Sequence, residues 1–288
     1  ELRIIGNQYI PYDNILKVEI RTLKEKINSF NDLKKKEQFI KEIEKKITNL
    51  HAISIQKIIN KFKLEKSLID VVGFHGQTIY HSYKEKVSRQ LADGFLLNKL
   101  TDLNIVYKFR DNDIKNGGQG APLTPIYHNL IQNKFKLEFP SAFINIGGIS
   151  NITYIKSKNK FLSFDTGPGN FLIDSFIQSK SNNKIQFDKN GESAFKGSIN
   201  EIILENFLNN SYYETKPPKT LDVNDFNLAG IRGLTLEDSI TTLSELTSRT
   251  ICDSLNFFEE KPIQIFLSGG GRKNKYIFER INKLSKLN

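Results

Sequence analysis

The spacing of hydrophobic residues divides the first half of the chain into a helical part and a strand-rich part. Apolar residues recur three and four positions apart through Phe39, Ile43, Ile47 and Leu50, which is the spacing of one helix face. After residue 66 they form short β-branched runs bounded by polar residues, as in buried parallel strands. The helices predicted here span 14–29, 32–63 and 94–100. The predicted strands span 2–5, 67–74 and 104–109.

In the second half, closely spaced apolar runs predict an antiparallel meander that begins a second sheet. The predicted strands span 142–148, 151–156, 161–164 and 262–267. Helical spacing predicts helices over 171–178, 198–208 and 236–257, and a last one that starts at 274. Strands that alternate with helices, together with the meander, predict an α/β protein with two lobes, 1–133 and 134–288.

Composition narrows the class of protein without identifying a site. The 288 residues are 38% hydrophobic, enough for a sizeable core, and the single cysteine, Cys252, excludes an internal disulfide and fits a reducing compartment. No apolar stretch reaches the roughly 18 residues of a membrane span, and no signal-peptide pattern opens the chain. We therefore expect a cytoplasmic protein that does not bind a membrane. Because Met is absent, we also expect the chain to be part of a longer protein.

The formal net charge of +10 raises the question of nucleic-acid binding. The densest basic cluster, 34–46, interleaves lysines with Glu37, Glu42 and Glu44 on a predicted helix, which is typical of a solvated helix face. No basic stripe with interleaved aromatic residues accompanies it. We therefore expect no nucleic-acid partner. The alternative outside the enzymes is a nucleotide- or nucleic-acid-binding protein without catalysis.

Four loops each follow a predicted buried strand directly. Open α/β sheets bind their ligands outside the carboxyl ends of strands, so these loops are the candidate site. The second loop contains three glycines and two prolines, and we expect it to lack regular structure. The four loops span 75–78, 110–125, 165–170 and 268–274.

Glycine and polar residues combine in two of these loops and in the turn 145–151. Asp165 ends a strand, where a carboxylate can act as a general base or can simply cap a turn. The glycines 269–271, and the pair Gly147 and Gly148, can expose backbone N–H groups to a phosphate or a flat base, or can supply the positive φ of tight turns. Two glycine-rich turns in one lobe suggest a nucleotide between them.

Three polar residues of the first half offer hydrogen bonds to a ligand. His75 and Gln77 suit a hydroxylated molecule, and Arg110 offers a bidentate donor to a carboxylate or phosphate. The alternatives are a packed histidine at a strand end and an arginine paired with a neighbouring aspartate. The sequence has no Cys/His ligand spacing, so no metal site built from protein ligands is predicted.

Six motifs follow one another along the chain: GFHGQTIYH (73–81), FRDND with GGQGAPLTPIYH (109–128), NIGGISN (145–151), DTGPGN (165–170), PPKTLDVNDF (217–226) and SGGGRKN (268–274). In these motifs the chain resembles the anhydro-N-acetylmuramic acid kinases, which belong with acetate kinase, sugar kinases and actin in one superfamily. The resemblance implies a two-lobed, actin-like fold of the ribonuclease H type with a nucleotide cleft between the lobes. It also implies a cytoplasmic enzyme of cell-wall recycling, a homodimer, that uses ATP and Mg²⁺ to open and phosphorylate its anhydro sugar.

The resemblance assigns a role to each candidate residue, with the first lobe on the sugar side and the second on the ATP side. Asp165 is the implied catalytic base, and His75, Gln77 and Arg110 are implied to line the sugar pocket. The implied nucleotide-binding residues are Asn145, Gly147, Gly148 and Asn151 for the phosphates, and Gly269, Gly270, Gly271 and Asn274 for the adenosine.

The sequence departs from the family at both ends. A glycine- and serine-rich phosphate hairpin normally precedes the opening strand, and further carboxylates follow the last helix, so we expect both segments to lie outside this sequence. The leading alternative function is another sugar or carboxylate kinase of the same superfamily, because fold alone does not identify a substrate.

Overall fold

The structure is a computed structural model that describes residues 3–82, 84–221 and 226–285. The chain divides into two units, Glu1–Leu123 and Thr124–Asn288. Helices and strands occur in both units, which confirms the predicted α/β class. Residue 2 of the predicted opening strand, and residues 222–225 of the PPKTLDVNDF motif, lie outside the described residues.

Helices supply most of the core of the first unit. They are α1 (Asn14–Glu25), α2 (Phe30–Lys35), α3 (Glu37–Phe62), α4 (Gly94–Thr101) and α5 (Phe109–Lys115). Of the apolar face predicted from residue spacing, Ile43 and Ile47 are buried, and Phe39 and Leu50 are partly buried against the same cluster, which also holds Leu16 of α1.

The strands of the first unit form two separate pairs. They are β1 (Val72–Phe74), β2 (Gln77–Ser82), β3 (Val87–Leu91) and β4 (Ile105–Tyr107). β1 and β4 pair in parallel with Phe74 opposite Tyr107, and β2 and β3 form an antiparallel hairpin. The carboxyl ends of β1 and β4 therefore lie side by side.

A four-stranded sheet forms the centre of the second unit. Its strands are β5 (Ser141–Ile146), β6 (Ile149–Ser157), β7 (Lys160–Pro168) and β8 (Gln264–Ser268). Their order is β7-β6-β5-β8, in which the meander is antiparallel and β8 joins β5 in parallel. Ala142, Ile144, Ile152 and Phe164 are fully buried, so each strand of the meander contributes apolar side chains to the core.

Six α-helices accompany this sheet in the part of the second unit that the structure describes. They are α6 (Pro125–Lys134), α7 (Phe171–Lys180), α8 (Glu201–Leu208), α9 (Ser211–Glu214), α10 (Leu236–Ser254) and α11 (Lys275–Ser285). α10 lies in the core, and its fully buried Glu245 accepts hydrogen bonds from Arg249 and from Arg280 of α11. This paired charge ties α11, and the glycine loop before it, to the core.

The structure differs from the sequence predictions in several places, including the start of the chain, the loop 110–125 and the boundary between the units. The first described residues, 3–13, have no regular structure, although a strand was predicted at 2–5. Arg110 lies in α5, so the prediction that all of 110–125 is irregular was wrong. The units divide after Leu123 rather than after residue 133, because α6 bonds to the second sheet, with His128 Nδ1 2.9 Å from Thr153 Oγ1. No helix among the described residues is both long and apolar enough to cross a membrane.

Candidate active site

The register of the second sheet places four polar residues in one row. Asn145 of β5 pairs with Asn151 of β6 on one side and with Ser268 of β8 on the other. Asn151 pairs in turn with Asp165 of β7. Residues directly opposite each other project to the same face of a sheet, so the four side chains share one face. The register therefore joins three motifs that are far apart in the sequence.

The turn between β5 and β6 anchors the start of α7 through its carbonyl groups. Gly148 O accepts from Gly169 N–H at 2.8 Å, and Gly147 O accepts from Asn170 N–H at 2.7 Å. The side-chain amide of Asn170 also donates to Gly147 O at 3.1 Å. Neither Gly147 nor Gly148 has a positive φ in the left-handed range, so that explanation of the glycine pair was wrong. The contacts show a close backbone approach, and a Cβ on Gly169 would overlap Gly147 O.

The glycine loop after β8 lies against the same turn. Gly269 has φ of +79°, and a Cβ there would lie 2.5 Å from Ile146 O, so glycine is required both by conformation and by space. A Cβ on Gly271 would overlap Ile146 Cγ2 and lie 2.9 Å from Asn170 Oδ1. Asn274 closes the loop by accepting from Ile277 N–H at 3.2 Å at the start of α11. The two predicted nucleotide-binding turns are therefore packed together.

A cavity of about 460 Å³ opens beside this packed pair of turns. Asn170 and Asp174 of the α7 region, and Gly270, Gly271 and Asn274 of the glycine loop, form part of its wall. The rest of the wall comprises Ile173, Phe187, Asp188, Lys189, Asn190 and Lys273, of which only Lys273 lies in a loop predicted to bind a ligand. Its volume and mixed lining are typical of a small-molecule site.

Two carboxyl groups meet at the wall of the cavity. Both oxygens of Asp188 accept backbone N–H groups, from Ser193 at 2.9 Å and from Ala194 at 3.1 Å. Asp174 lies near Asp188, and burial, followed by the charge of Asp188, raises the pKa of Asp174 to about 6. In the described part of the chain, no donor lies within hydrogen-bond distance of the Asp174 carboxyl group.

The predicted catalytic residue, Asp165, is held by the segment that precedes residue 222. Leu221 N–H donates to Asp165 Oδ2 at 2.9 Å, and the backbone N–H of Asp165 donates to Lys219 O at 3.1 Å. The Tyr212 hydroxyl donates to Asp165 O. The bond from Leu221 holds the carboxylate, and the other two hold the backbone of Asp165. Because Leu221 is distant in the sequence and Asp165 lies within β7, the carboxylate joins two segments rather than capping a local turn, and this geometry is compatible with a structural role and with catalysis.

Lys219 organises this segment from an unusual position for a lysine. It is only 6% exposed, and its ammonium group donates to Tyr212 O at 2.8 Å and Tyr213 O at 3.3 Å. The Tyr212 and Phe257 rings each lie 4.4 Å from Nζ, a cation–π distance. Burial lowers the pKa of Lys219 to about 8. Nothing in the sequence indicates this role, since lysines beside prolines normally lie on the surface.

The three predicted sugar-binding residues lie in the first unit. His75 directly follows β1, Gln77 opens β2, and Arg110 lies in the first turn of α5 just beyond β4. Because β1 and β4 are parallel neighbours, His75 and Arg110 emerge at the same edge of this pair. Arg110 donates to Gly120 O at 2.6 Å and the exposed His75 contacts Gly76 O with Nδ1 at 2.9 Å. Their role in sugar binding stays a prediction.

Metal-binding residues do not cluster in the part of the chain that the structure describes: no group of three or more His, Cys, Asp or Glu side chains there could hold an ion. A metal ion that binds together with a nucleotide would take its ligands mainly from phosphate oxygens and water, as Mg²⁺ commonly does.

Comparison with known proteins supplies an independent line of evidence. A family model described as anhydro-N-acetylmuramic acid kinase matches residues 2–287. The anhydro-N-acetylmuramic acid kinase of Pelagibacter ubique is 42% identical over 286 residues, covering 97% of this chain and 75% of that protein. That of Agrobacterium fabrum is 34% identical over 279 residues, covering 96% and 74%. A solved activator of the 2-hydroxyisocaproyl-CoA dehydratase from Clostridium difficile, with bound ADPNP, aligns with a TM-score of 0.43 and 10% identity over 82% of this chain and 72% of that one.

Proposed function

The chain belongs to the anhydro-N-acetylmuramic acid kinase family, and from this premise we propose that it converts 1,6-anhydro-N-acetylmuramic acid, ATP and water into N-acetylmuramic acid 6-phosphate and ADP. Water attacks C1 and the bond from C1 to O6 breaks. The electron pair left on O6 forms the bond to the γ-phosphorus, and ADP departs. The reaction belongs to peptidoglycan recycling.

The observation that carries this proposal is the row of Asp165, Asn151, Asn145 and Ser268 across the second sheet. A row that ends in a fixed carboxylate at one side and in a glycine loop at the other suits a reaction that couples a proton acceptor to a bound nucleotide. Asp165 would take a proton from the attacking water, the step for which a positioned carboxylate is suited.

ATP is proposed to bind with its adenosine in the cavity beside the glycine loop. Gly270, Gly271 and Asn274 line that cavity, and their lack of bulky side chains lets a flat base approach the backbone. Asn145 and Asn151 would lie on the phosphate side with Gly147 and Gly148. Bound Mg²⁺ would neutralise charge on the phosphates during transfer.

The sugar is proposed to bind to His75, Gln77 and Arg110. An anhydro-muramic acid carries hydroxyl groups and a lactyl carboxylate, and imidazole, amide and guanidinium groups are suitable donors for both. We further propose that the protein is cytoplasmic and assembles as a homodimer. Light scattering of the purified complete protein would test the dimer.

The decisive experiment uses the complete protein in ¹⁸O-labelled water with 1,6-anhydro-N-acetylmuramic acid, ATP and Mg²⁺. We expect the label at C1 of a 6-phosphorylated product, and loss of product in Asp165→Asn. If the folded protein binds ATP but phosphorylates no anhydro sugar, the proposal is wrong and a related kinase becomes the better assignment.

A further inference from the structure

Two groups in the wall of the 460 Å³ cavity have no evident structural role. Phe187 is a large apolar side chain that is 57% exposed. Asp174 has no hydrogen-bond donor within reach among the described residues, although it is partly buried next to Asp188. Keeping an acceptor without a donor in such a place is costly, because a partly desolvated carboxylate loses hydration. A ligand that offers a donor would offset this cost.

The neighbouring groups are already engaged in local structure. Asp188 accepts two backbone N–H groups, Asn274 caps α11, and the Asn170 amide donates to Gly147 O. Of the two acidic side chains that line the cavity, Asp188 is therefore engaged, whereas the Asp174 carboxylate accepts no hydrogen bond from the described part of the protein. Lys189 and Lys273, which also line the cavity, are exposed at its edge.

Resting on the proposed use of ATP, we propose that Asp174 accepts a hydrogen bond from the exocyclic amino group of adenine while Phe187 packs on the face of the base. Adenine is flat and carries an amino group at C6, where hypoxanthine carries a carbonyl oxygen. A carboxylate attracts the first and repels the second. Asp174 is thus a specificity-determining residue for the nucleotide, and Phe187 supplies affinity that does not distinguish the two bases.

The test measures binding of ADP and inosine diphosphate to the complete protein by calorimetry, without sugar, so that no turnover occurs. We expect the wild type to bind ADP at least about tenfold more tightly than inosine diphosphate, the size of effect expected for one hydrogen bond to a charged group. In Asp174→Asn, whose amide can donate to the hypoxanthine oxygen, the ratio should fall to within about threefold.

Two further variants separate base recognition from general damage. Phe187→Leu should weaken both ligands by the same factor, about tenfold, because stacking does not depend on the C6 substituent. Asp253→Asn removes a carboxylate from α10, outside the cavity lining, and should leave the ratio unchanged. A melting curve for each variant confirms that it is folded.

The outcomes distinguish this inference from the function on which it rests. If the wild type binds neither diphosphate, the proposed use of ATP is wrong and the inference falls with it. If ADP binds but the wild type shows no preference, or Asp174→Asn keeps the wild-type ratio, only the role of Asp174 is overturned. Equal loss of both ligands in Asp174→Asn would likewise show a structural role rather than recognition of the base.

Discussion

The two ends of the segment from Asp165 to Asp174 hold their carboxyl groups in opposite ways. The Asp165 carboxylate accepts a hydrogen bond from Leu221 N–H, and its backbone is held by the bond from Asp165 N–H to Lys219 O and by the Tyr212 hydroxyl, which donates to Asp165 O. Asp174, nine residues further along the chain, lies in a cavity wall without a donor from the described residues. One carboxylate is therefore positioned before any ligand arrives, and the other is positioned for a ligand to complete.

This difference matches two kinds of work. A reacting group needs a fixed place, because small displacements of a general base reduce the rate of proton transfer strongly. A recognition group needs an unmet hydrogen bond, because only then does the correct ligand gain free energy that an incorrect one lacks. We therefore expect Asp165 to govern the reaction rate and Asp174 to govern nucleotide binding.

The largest effect is expected for Asp165→Asn. The amide oxygen can still accept from Leu221 N–H, so the loop keeps its conformation, but the side chain can no longer take a proton. We expect kcat to fall by about 10³, within the range for loss of a general base. Steady-state kinetics measure this change. ADP affinity should stay at the wild-type value, and a loss of kcat below tenfold would mean that Asp165 only holds the segment around Leu221 in place.

A smaller effect on rate is expected for Lys219→Met. This change removes the donor to Tyr212 O and Tyr213 O, and so loosens the residue whose hydroxyl holds Asp165 O. We expect kcat to fall by about tenfold while ADP affinity is retained, since roughly 1.4 kcal/mol corresponds to one lost hydrogen bond.

The matched control is Lys216→Met, because Lys216 lies in the same segment but is exposed. It should leave kcat and ADP affinity unchanged. If kcat falls equally in both lysine variants, the loss of one positive charge is responsible, and not a displacement of Asp165. If Lys219→Met lowers ADP affinity instead of kcat, Asp165 and Asp174 do not have separate roles in rate and binding.

A comparison of two adjacent glycines tests the packing between the turns. In Gly271→Ala the new methyl group would overlap Ile146 Cγ2, and Ile146 is fully buried and has no room to move. We expect the free energy of unfolding to fall by about 1–3 kcal/mol. In Gly270→Ala the nearest atom, Asn170 Nδ2, is 3.9 Å away, so the change should stay below about 0.5 kcal/mol. Urea denaturation of both variants gives the comparison, and equal losses would contradict it.

The sequence predicted the sheet of the second unit well, and the reason is physical. β5, β6 and β7 each have buried apolar residues, and a glycine turn separates the first two, so local pattern and final structure agree. The candidate residues Asn145, Asn151 and Asp165 could be named, but their shared row depends on strand register, which the sequence does not state.

Other features depend on contacts between distant residues and could not be predicted. The helix α5 was missed because the window 110–125 is dominated by the glycines and prolines that follow it. Lys219 is buried only because Tyr212 and Phe257 provide rings and carbonyl groups around it. Asp174 is an ordinary helix residue in the sequence, and its cavity exists only when Asp188 and the glycine loop are brought beside it.

The smallest expected effect concerns Asp174 and the dependence of stability on pH. The pKa of Asp174 is raised to about 6 in the folded protein, by burial first and by Asp188 second, from an ordinary value near 3.9 in the unfolded chain. The folded state therefore binds the proton more tightly, and stability falls as pH rises from about 4 to about 6. Asp174→Asn removes this penalty. Because the group is partly exposed, solvent screening reduces the expected gain to about 1 kcal/mol at pH 7.5.

At about pH 4 the same substitution should change stability little, since Asp174 is already protonated in the folded wild type. Denaturant unfolding at the two pH values measures the difference, with Lys189 and Lys273 left in place as the nearby cations that line the cavity. A gain at neutral pH combined with lost base discrimination would mean that the carboxylate is kept for its ligand at the expense of stability. A loss of stability at pH 7.5 would instead mean that Asp174 stabilises the fold, and its contrast with Asp165 would no longer hold.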